Sequence, residues 1–393
     1  MAPGRSCCGP RLRAPCACWP WGCCCVLGNP SLPKHRRTMS STPSAPDVTR
    51  HHRNNFDLLR LLAAADVMAL HVVDLTQIPA LAFLGWVDTR LALSTFFIIS
   101  GYLVFQSFEQ TPRLGIYIEK RARRIVPAYA VVILLSVLLG ACLTTLQWRD
   151  YFGSETLRYL LANLAFLNFI QPDLPGVFAD HPFTASVNGA LWTIKVELMF
   201  YAAVPVFVWM VRRWGHRPVL GVCFVLSCLW WGGFTALAAQ SGRDVFHEVA
   251  KQMPGQLMFF LPGAWCYYER ARLQAIGWPL GVVGLALLMG SYALDLTYLY
   301  PLALTACVFY AAFQLPYLGQ VTRHGDLSYG VYILHFPIIQ TLIAVGLFQA
   351  TPYGALALLI GLVTVMSWLS WHLVEAPMLR RRPAASRTKA LPA

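Results

Sequence analysis

Two residues able to bind an anion and move a proton, Arg60 and His71, stand eleven positions apart in the apolar run "FDLLRLLAAADVMALH". A guanidinium is permanently charged and grips carboxylate or phosphate oxygens in pairs. An imidazole, with a reference pKa of about 6.5, is the side chain best suited to taking up and releasing protons near neutral pH. On an α-helix eleven residues amount to three turns plus about 20°, with a rise of about 16 Å, so the two side chains lie on one face, one above the other. Asp57, three residues before Arg60, is spaced to pair with it. Asp66 diverges from His71 by about 140° and is poorly placed to orient that ring. The plain alternative is an interfacial ion pair with a histidine marking the end of a span. Ionisable groups inside apolar helices are costly and mark function, which favours the functional reading of the set.

Four further segments carry chemistry-bearing side chains. "NGALWTIKVELMFYAAVP" places Lys195 and Glu197 in an otherwise apolar run; two residues apart, they do not face each other on a helix. "DLSYGVYILHFPII" holds Ser328, Tyr329, Tyr332 and His335, and His335 taken alone fits a packing role as well as an active one. "STFFIISGYLVF" puts Ser94 and Ser100 beside Gly101, where a missing side chain allows close helix approach. "IEKRARRIVPAY" gathers Lys120, Arg121, Arg123 and Arg124. By charge alone these are ordinary flanking residues of a membrane span.

The elements that hold these residues are transmembrane helices. Hydrophobic residues make up 57% of the 393 and charged residues only 12%, against about a quarter charged in a soluble domain, and the mean hydropathy is +0.52. Runs of roughly 20 apolar residues recur near 57–75, 86–107, 125–146, 190–211, 218–239, 252–268, 275–293, 298–315, 328–348 and 354–374, each long enough to cross a bilayer. The spacing predicts an all-α integral membrane protein of about ten spans. In that arrangement Arg90, Arg149, Arg158, Arg243 and Lys251 fall on one side and the large remainder of the loop Arg and Lys on the other, which puts both termini in the cytoplasm. The run at 157–170 would reverse every later loop if it crossed, so it reads as re-entrant or interfacial. Arg60 then lies near the cytoplasmic mouth, with His71 and Glu197 deep toward the outer half.

The net charge of +13 reflects short loops beside spans and attraction to lipid headgroups, with no call for a nucleic-acid partner. Seven of the twelve cysteines fall in the first 25 residues without metal-ligand spacing, and broken apolar runs argue against a signal peptide. Residues 1–53 read as a disordered leader, with Met39 an alternative start; 54–378 form the membrane domain and 379–393 a basic tail. No second soluble domain and no internal repeat is evident.

Taken in order, "FDLLRLLAAADVMALH", "FFIISGYLV", "KRARRIVPAY", "LWTIKVELMFY", "LSYGVYILHFPII" and "HLVEAPML" resemble the motifs of the acyltransferase 3 family of integral membrane acyltransferases, over about 54–378. The resemblance implies transfer of an acyl group, commonly acetyl, from cytoplasmic acyl-CoA to a hydroxyl of a carbohydrate at or beyond the bacterial inner membrane. Acyl-CoA is then a co-substrate, with no permanently bound cofactor and no metal. Arg60 and His71 match the family's essential pair, Arg121 and Arg124 its Arg-x-x-Arg motif at the CoA end, and Glu197 its motif carboxylate. Ser100, Tyr329 and His335 match motif positions of less settled role. The appended extracytoplasmic hydrolase-like domain of some members has no counterpart.

On that reading a donor held at the basic mouth threads its thioester inward to His71, which takes the acceptor's proton or itself carries the acyl group as an intermediate, with Glu197 expected to orient or charge-stabilise the imidazole if the helices bring them together. The competing class is a proton-coupled transporter or flippase of a glycan or lipid precursor, using Asp57, Asp66, Glu197 and His71 as a relay. A noncatalytic sensor or scaffold explains the hydrophobicity and leaves the stacked Arg60 and His71 unexplained.

Overall fold

Each of the ten apolar runs is a helix in the computed structural model, which describes residues 54–86, 88–318 and 325–380. The expectations for the leader 1–53, for Met39 and for the tail beyond 380 lie outside the described residues. The main helices are α1 (Phe56–Thr76), α2 (Thr89–Gln110), α3 (Leu114–Leu143), α4 (Ser154–Leu164), α5 (Trp192–Trp214), α6 (His216–Ser241), α7 (Met253–Tyr268), α8 (Trp278–Ala293), α9 (Tyr300–Phe313), α10 (Ser328–Ala344) and α11 (Pro352–Ser370). No strand occurs among the described residues.

Ten helices do not make ten clear spans. By length and composition five helical stretches, built on α2, α3, α5, α6 and α11, suffice to cross a membrane, or six when α8 is joined to the preceding Arg270–Ile276, from which it bends by 89°. Of the others, α1 is long enough at 21 residues but carries Asp57, Arg60, Asp66 and Asp74. Helices α7, α9 and α10 have 16, 14 and 17 residues. At about 1.5 Å per residue they fall short of a hydrocarbon layer of about 30 Å.

The bundle wears its apolar residues outward, as a lipid solvent requires. Val222, Val225, Leu226 and Leu229 form an exposed stripe along α6, and Val282, Val283, Leu285 and Met289 are exposed on α8. Helical spacing makes each set one face. The chain is a multi-pass membrane protein.

The ambiguous run at 157–170 contains only α4, of 11 residues, about 16 Å long and roughly half the hydrocarbon thickness. It lies against α3, where the Tyr129 hydroxyl donates to the Asn163 carbonyl at 3.0 Å. The chain then runs to 188 without another helix.

Two local devices set the helices that matter for the site. Asn55, just ahead of α1, donates through Nδ2 to the carbonyls of Ala311 and Pro316 and accepts from the Leu318 amide. This fastens the start of α1, and with it Arg60, to the end of α9. Helices α2 and α7 meet backbone to backbone: a Cβ on Gly101 would stand 2.0 Å from the Phe260 carbonyl oxygen, and one on Gly263 2.0 Å from that of Ile98. The close approach expected from Gly101 is therefore real, with glycine supplied by both partners.

Gly101→Ala should accordingly force α2 and α7 apart and lower stability by about 3 kcal/mol, the upper end for overpacking, because a carbonyl cannot swing aside as a side chain can. Gly115→Ala, where nothing lies within 4 Å of the added carbon, serves as the control. Thermal unfolding in detergent checks both; equal midpoints for the two variants would contradict the close approach.

Candidate active site

Arg60 emerges from α1 into a cluster that joins three distant parts of the chain. Its Nη1 lies 2.9 Å from Asp326 Oδ2, and Arg124 of α3 pairs with the same oxygen. The other oxygen, Oδ1, accepts from the Ser328 amide at 3.1 Å and from its hydroxyl at 2.5 Å. One carboxylate thus caps the start of α10 and bridges two arginines. Burial pushes the Asp326 pKa up, but the Arg60 and Arg124 charges and the Ser328 hydroxyl outweigh it and hold the carboxyl below the usual range. Asp57, which helical spacing offered as the partner of Arg60, is exposed; the ion pair of Arg60 is with Asp326 instead.

Eleven residues along the same helix, His71 meets His335 of α10, Nδ1 to Nε2 at 2.8 Å. His335 is fully buried, and its Nδ1 lies 2.9 Å from the Val331 carbonyl oxygen. The shared face of Arg60 and His71 is therefore present in the fold. Both point at the α10 segment, Arg60 to the residue leading into it and His71 to its middle.

Glu197 does not join this pair. Its Oε1 accepts from the Tyr201 hydroxyl, one turn on, and from Ser100 Oγ of α2 at 3.4 Å. The expected orientation of His71 by Glu197 is thus replaced by contact with His335, because α1 packs along α10 and not along α5. Tyr201 in turn lies beneath Arg121, whose guanidinium carbon is 5.5 Å from the ring centroid. Arg121 also donates to Ser107 Oγ at 3.0 Å. Its Nε is buried with no partner, an orphan donor of the kind an incoming acceptor would satisfy.

These groups enclose a cavity of about 500 Å³. Among the described residues, Arg60, Lys120, Arg121, Arg123 and Arg124 line it against two carboxylates, Glu197 and Asp326. The excess of positive charge in a confined space favours an anion. Tyr329, with its hydroxyl donating to the Ile125 carbonyl at 3.0 Å, forms part of the wall. Tyr332 is also a lining residue, and its ring centroid is 6.1 Å from that of His335. His71 itself is not among the lining residues. Lys195 points elsewhere, onto the Phe169 ring at 4.6 Å, and Asp66 buries Oδ2 without a partner.

The model of an acyltransferase domain, Acyl_transf_3, matches residues 53–373. The chain belongs to the acyltransferase 3 family. Among its relatives in that family, Nodulation protein 10 of Rhizobium leguminosarum bv. viciae is 28% identical over 84% of this chain and 94% of its own length. The O-acetyl transferase of Shigella phage Sf6 is 27% identical over 84% of this chain and 97% of that protein. O-acetyltransferase OatA of Staphylococcus aureus (strain NCTC 8325 / PS 47) is 20% identical over 74% of this chain and 53% of its own length. No solved structure matches. Membership identifies the protein as a membrane acyltransferase and sets aside the transporter and scaffold readings of the same intramembrane charges.

The residue that sequence reasoning missed is Asp326. It opens the quoted motif "DLSYGVYILHFPII", and an aspartate two positions before a serine that begins a helix carries the mark of a cap. Its two arginine partners, 266 and 202 residues away, left no local signal.

Proposed function

We propose that this acyltransferase moves an acyl group, acetyl foremost, from acyl-CoA to a hydroxyl of a cell-surface or exported carbohydrate, working in the bacterial inner membrane with the basic end of the bundle in the cytoplasm. The observation that carries this reading is the cationic cavity, which extends from Lys120 and Arg121 to Tyr332, beside the paired histidines. A thioester on a long arm with an anionic nucleotide end suits such a path. Carbohydrate acceptors come from the relatives, two named O-acetyltransferases and another, in Rhizobium meliloti, an exopolysaccharide production protein.

In this reading Arg121 and Arg124 hold donor phosphates through charge-assisted hydrogen bonds, and Arg60 contributes from α1. Glu197 keeps Tyr201 in place beneath Arg121, a supporting part at the donor end. His71 acts as general base. It removes the proton from the acceptor hydroxyl as the oxygen attacks the thioester carbonyl; the C–S bond then breaks, and the imidazolium returns that proton to the departing thiolate. Ester and free CoA thiol are the products, and the histidine is regenerated.

Arg121→Ala tests the donor end cleanly, because the side chain touches a hydroxyl and a ring and no carboxylate is left unpaired. Removing a charged hydrogen-bonding partner of a phosphate costs about 1.5–3 kcal/mol. Acetyl-CoA affinity, measured by calorimetry on detergent-purified protein, should fall by roughly 10- to 100-fold, and wild-type affinity should weaken as salt rises. Affinity unchanged by the substitution contradicts the assignment.

The orientation and the ten-span arrangement, with 157–170 uncrossed, have their own test. In a cysteine-free background, single cysteines at Gly153 and Ala179 should both react with an impermeant thiol reagent applied to intact cells. Labelling of only one of the two means that the segment between them crosses.

A further inference from the structure

Both nitrogens of His335 are spoken for. Its Nδ1 lies 2.9 Å from the Val331 carbonyl oxygen, and a carbonyl only accepts, so Nδ1 carries a hydrogen. No carboxylate pairs with either His71 or His335 among the described residues, and an uncompensated charge in such a place is costly. The resting pair is therefore neutral. With its one hydrogen on Nδ1, neutral His335 offers a lone pair at Nε2, and the 2.8 Å contact requires His71 to donate from Nδ1. The ring geometry agrees: the planes differ by 19° and the centroids stand 5.0 Å apart. That separation is about what two imidazoles must have when they meet edge to edge across such a bond. Phe336 closes another side of His71, 5.1 Å away at 73°.

We infer that His335 is a positioning residue: by accepting from His71 Nδ1 and anchoring its own Nδ1 on the Val331 carbonyl, it fixes His71 in the tautomer whose Nε2 is bare. In water a neutral imidazole carries its proton mainly on Nε2, the form in which that nitrogen cannot act as a base. The relay reverses this preference. It also fixes the ring's rotation, since the contact is in plane. His71 keeps partial exposure, whereas His335 is buried and engaged at both nitrogens and cannot reach a substrate. When Nε2 takes the acceptor's proton, the imidazolium that forms still donates from Nδ1 to His335, so the relay supports both states of the cycle. This inference rests on His71 being the base proposed above.

The test uses the full chain in lipid, labelled with ¹⁵N-histidine, as wild type, His335→Phe and His335→Gln. Phenylalanine keeps a ring without an acceptor; the glutamine amide oxygen falls near the place of Nε2 and accepts in its stead. The expected ¹⁵N shifts show wild-type His71 protonated at Nδ1 and bare at Nε2, and largely reversed in His335→Phe. Turnover of acetyl-CoA in His335→Phe should drop by 10³-fold or more, the order of loss when a catalytic histidine is left in the wrong tautomer, about 10⁴. Affinity for acetyl-CoA should be unchanged, and His335→Gln should recover turnover to within about tenfold of wild type. Wild-type His71 protonated at Nε2 overturns the inference, and so does a His335→Phe enzyme within tenfold of wild-type turnover. The tautomer is read without substrate, so a wild type that shows the expected shifts yet turns over no acyl-CoA supports the relay and removes the proposed reaction instead.

Discussion

His71→Asn is expected to reduce acyl transfer by roughly 10²–10⁴-fold, the range general-base catalysis supplies, while the protein inserts and binds acetyl-CoA as before. The proposed donor contacts are Arg121, Arg124 and Arg60, which line the cavity, and His71 is not part of the cavity wall, so donor affinity has no reason to change. Asparagine retains a side-chain amide that donates toward His335, sparing the pair an empty lone pair and limiting structural loss. The check is turnover and acetyl-CoA affinity measured on the same purified variant. Near-normal turnover removes His71 from the chemistry; a parallel loss of donor binding moves it to the donor site.

The second large effect is expected at Asp326. Asp326→Ala leaves Arg60 and Arg124, each with a largely buried side chain, facing each other with their shared carboxylate gone, and also uncaps α10 at Ser328. Breaking a buried pair by removing one partner costs about 3–5 kcal/mol, and here one residue serves two ions and a cap. Stability in detergent should fall by at least that amount, with Asp326→Asn intermediate because it keeps an acceptor for the Ser328 amide. The carboxyl is held below its usual range in the folded protein, so its contribution is fully present above the unfolded value of about 3.9 and is lost only as pH falls through the lower folded value. Between pH 5 and pH 8, by the same values, the wild-type margin over Asp326→Ala should stay constant within about 0.5 kcal/mol. A margin that vanishes within that window would mean the carboxylate is not ion-paired as observed.

The architecture was largely legible because a bilayer reduces the pattern to apolar runs. All ten runs became helices, and the short, flanked run at 157–170 proved to hold only an 11-residue helix. Their usefulness as spans was less legible: α9 and α10 are each four residues shorter than the runs that announced them, since proline, glycine and bends end a helix while hydropathy continues. Within the site, spacing worked wherever the relation was inside one helix. Arg60 and His71 do share a face, and Gly101 does mark a close approach. Spacing failed where the partner sits on another helix. The His71–His335 contact spans 264 residues and the Arg60–Asp326 pair 266, so helical geometry named Asp57 and motif order named Glu197. Each was a reasonable neighbour in sequence and the wrong one in space. The basic segment at the start of α3 shows the opposite limit. As charge alone, Arg121 looked like a topology signal; the motif resemblance set it at the donor end, and the cavity adds a wall position and an orphan Nε.

One measurement bears most directly on the central claim that an acyl group passes from acyl-CoA to a carbohydrate with His71 as the base. Inside-out membrane vesicles from cells making this protein, and carrying their own glycans, are supplied with acetyl-CoA radiolabelled in the acetyl group. The polysaccharide fraction is then counted before and after mild alkali, which cleaves esters. The account predicts alkali-labile label on the polysaccharide with the wild-type chain, free CoA thiol released in equal amount, and neither with His71→Asn. Equal labelling with both chains, or no labelled ester while the wild type binds acetyl-CoA normally, would contradict it.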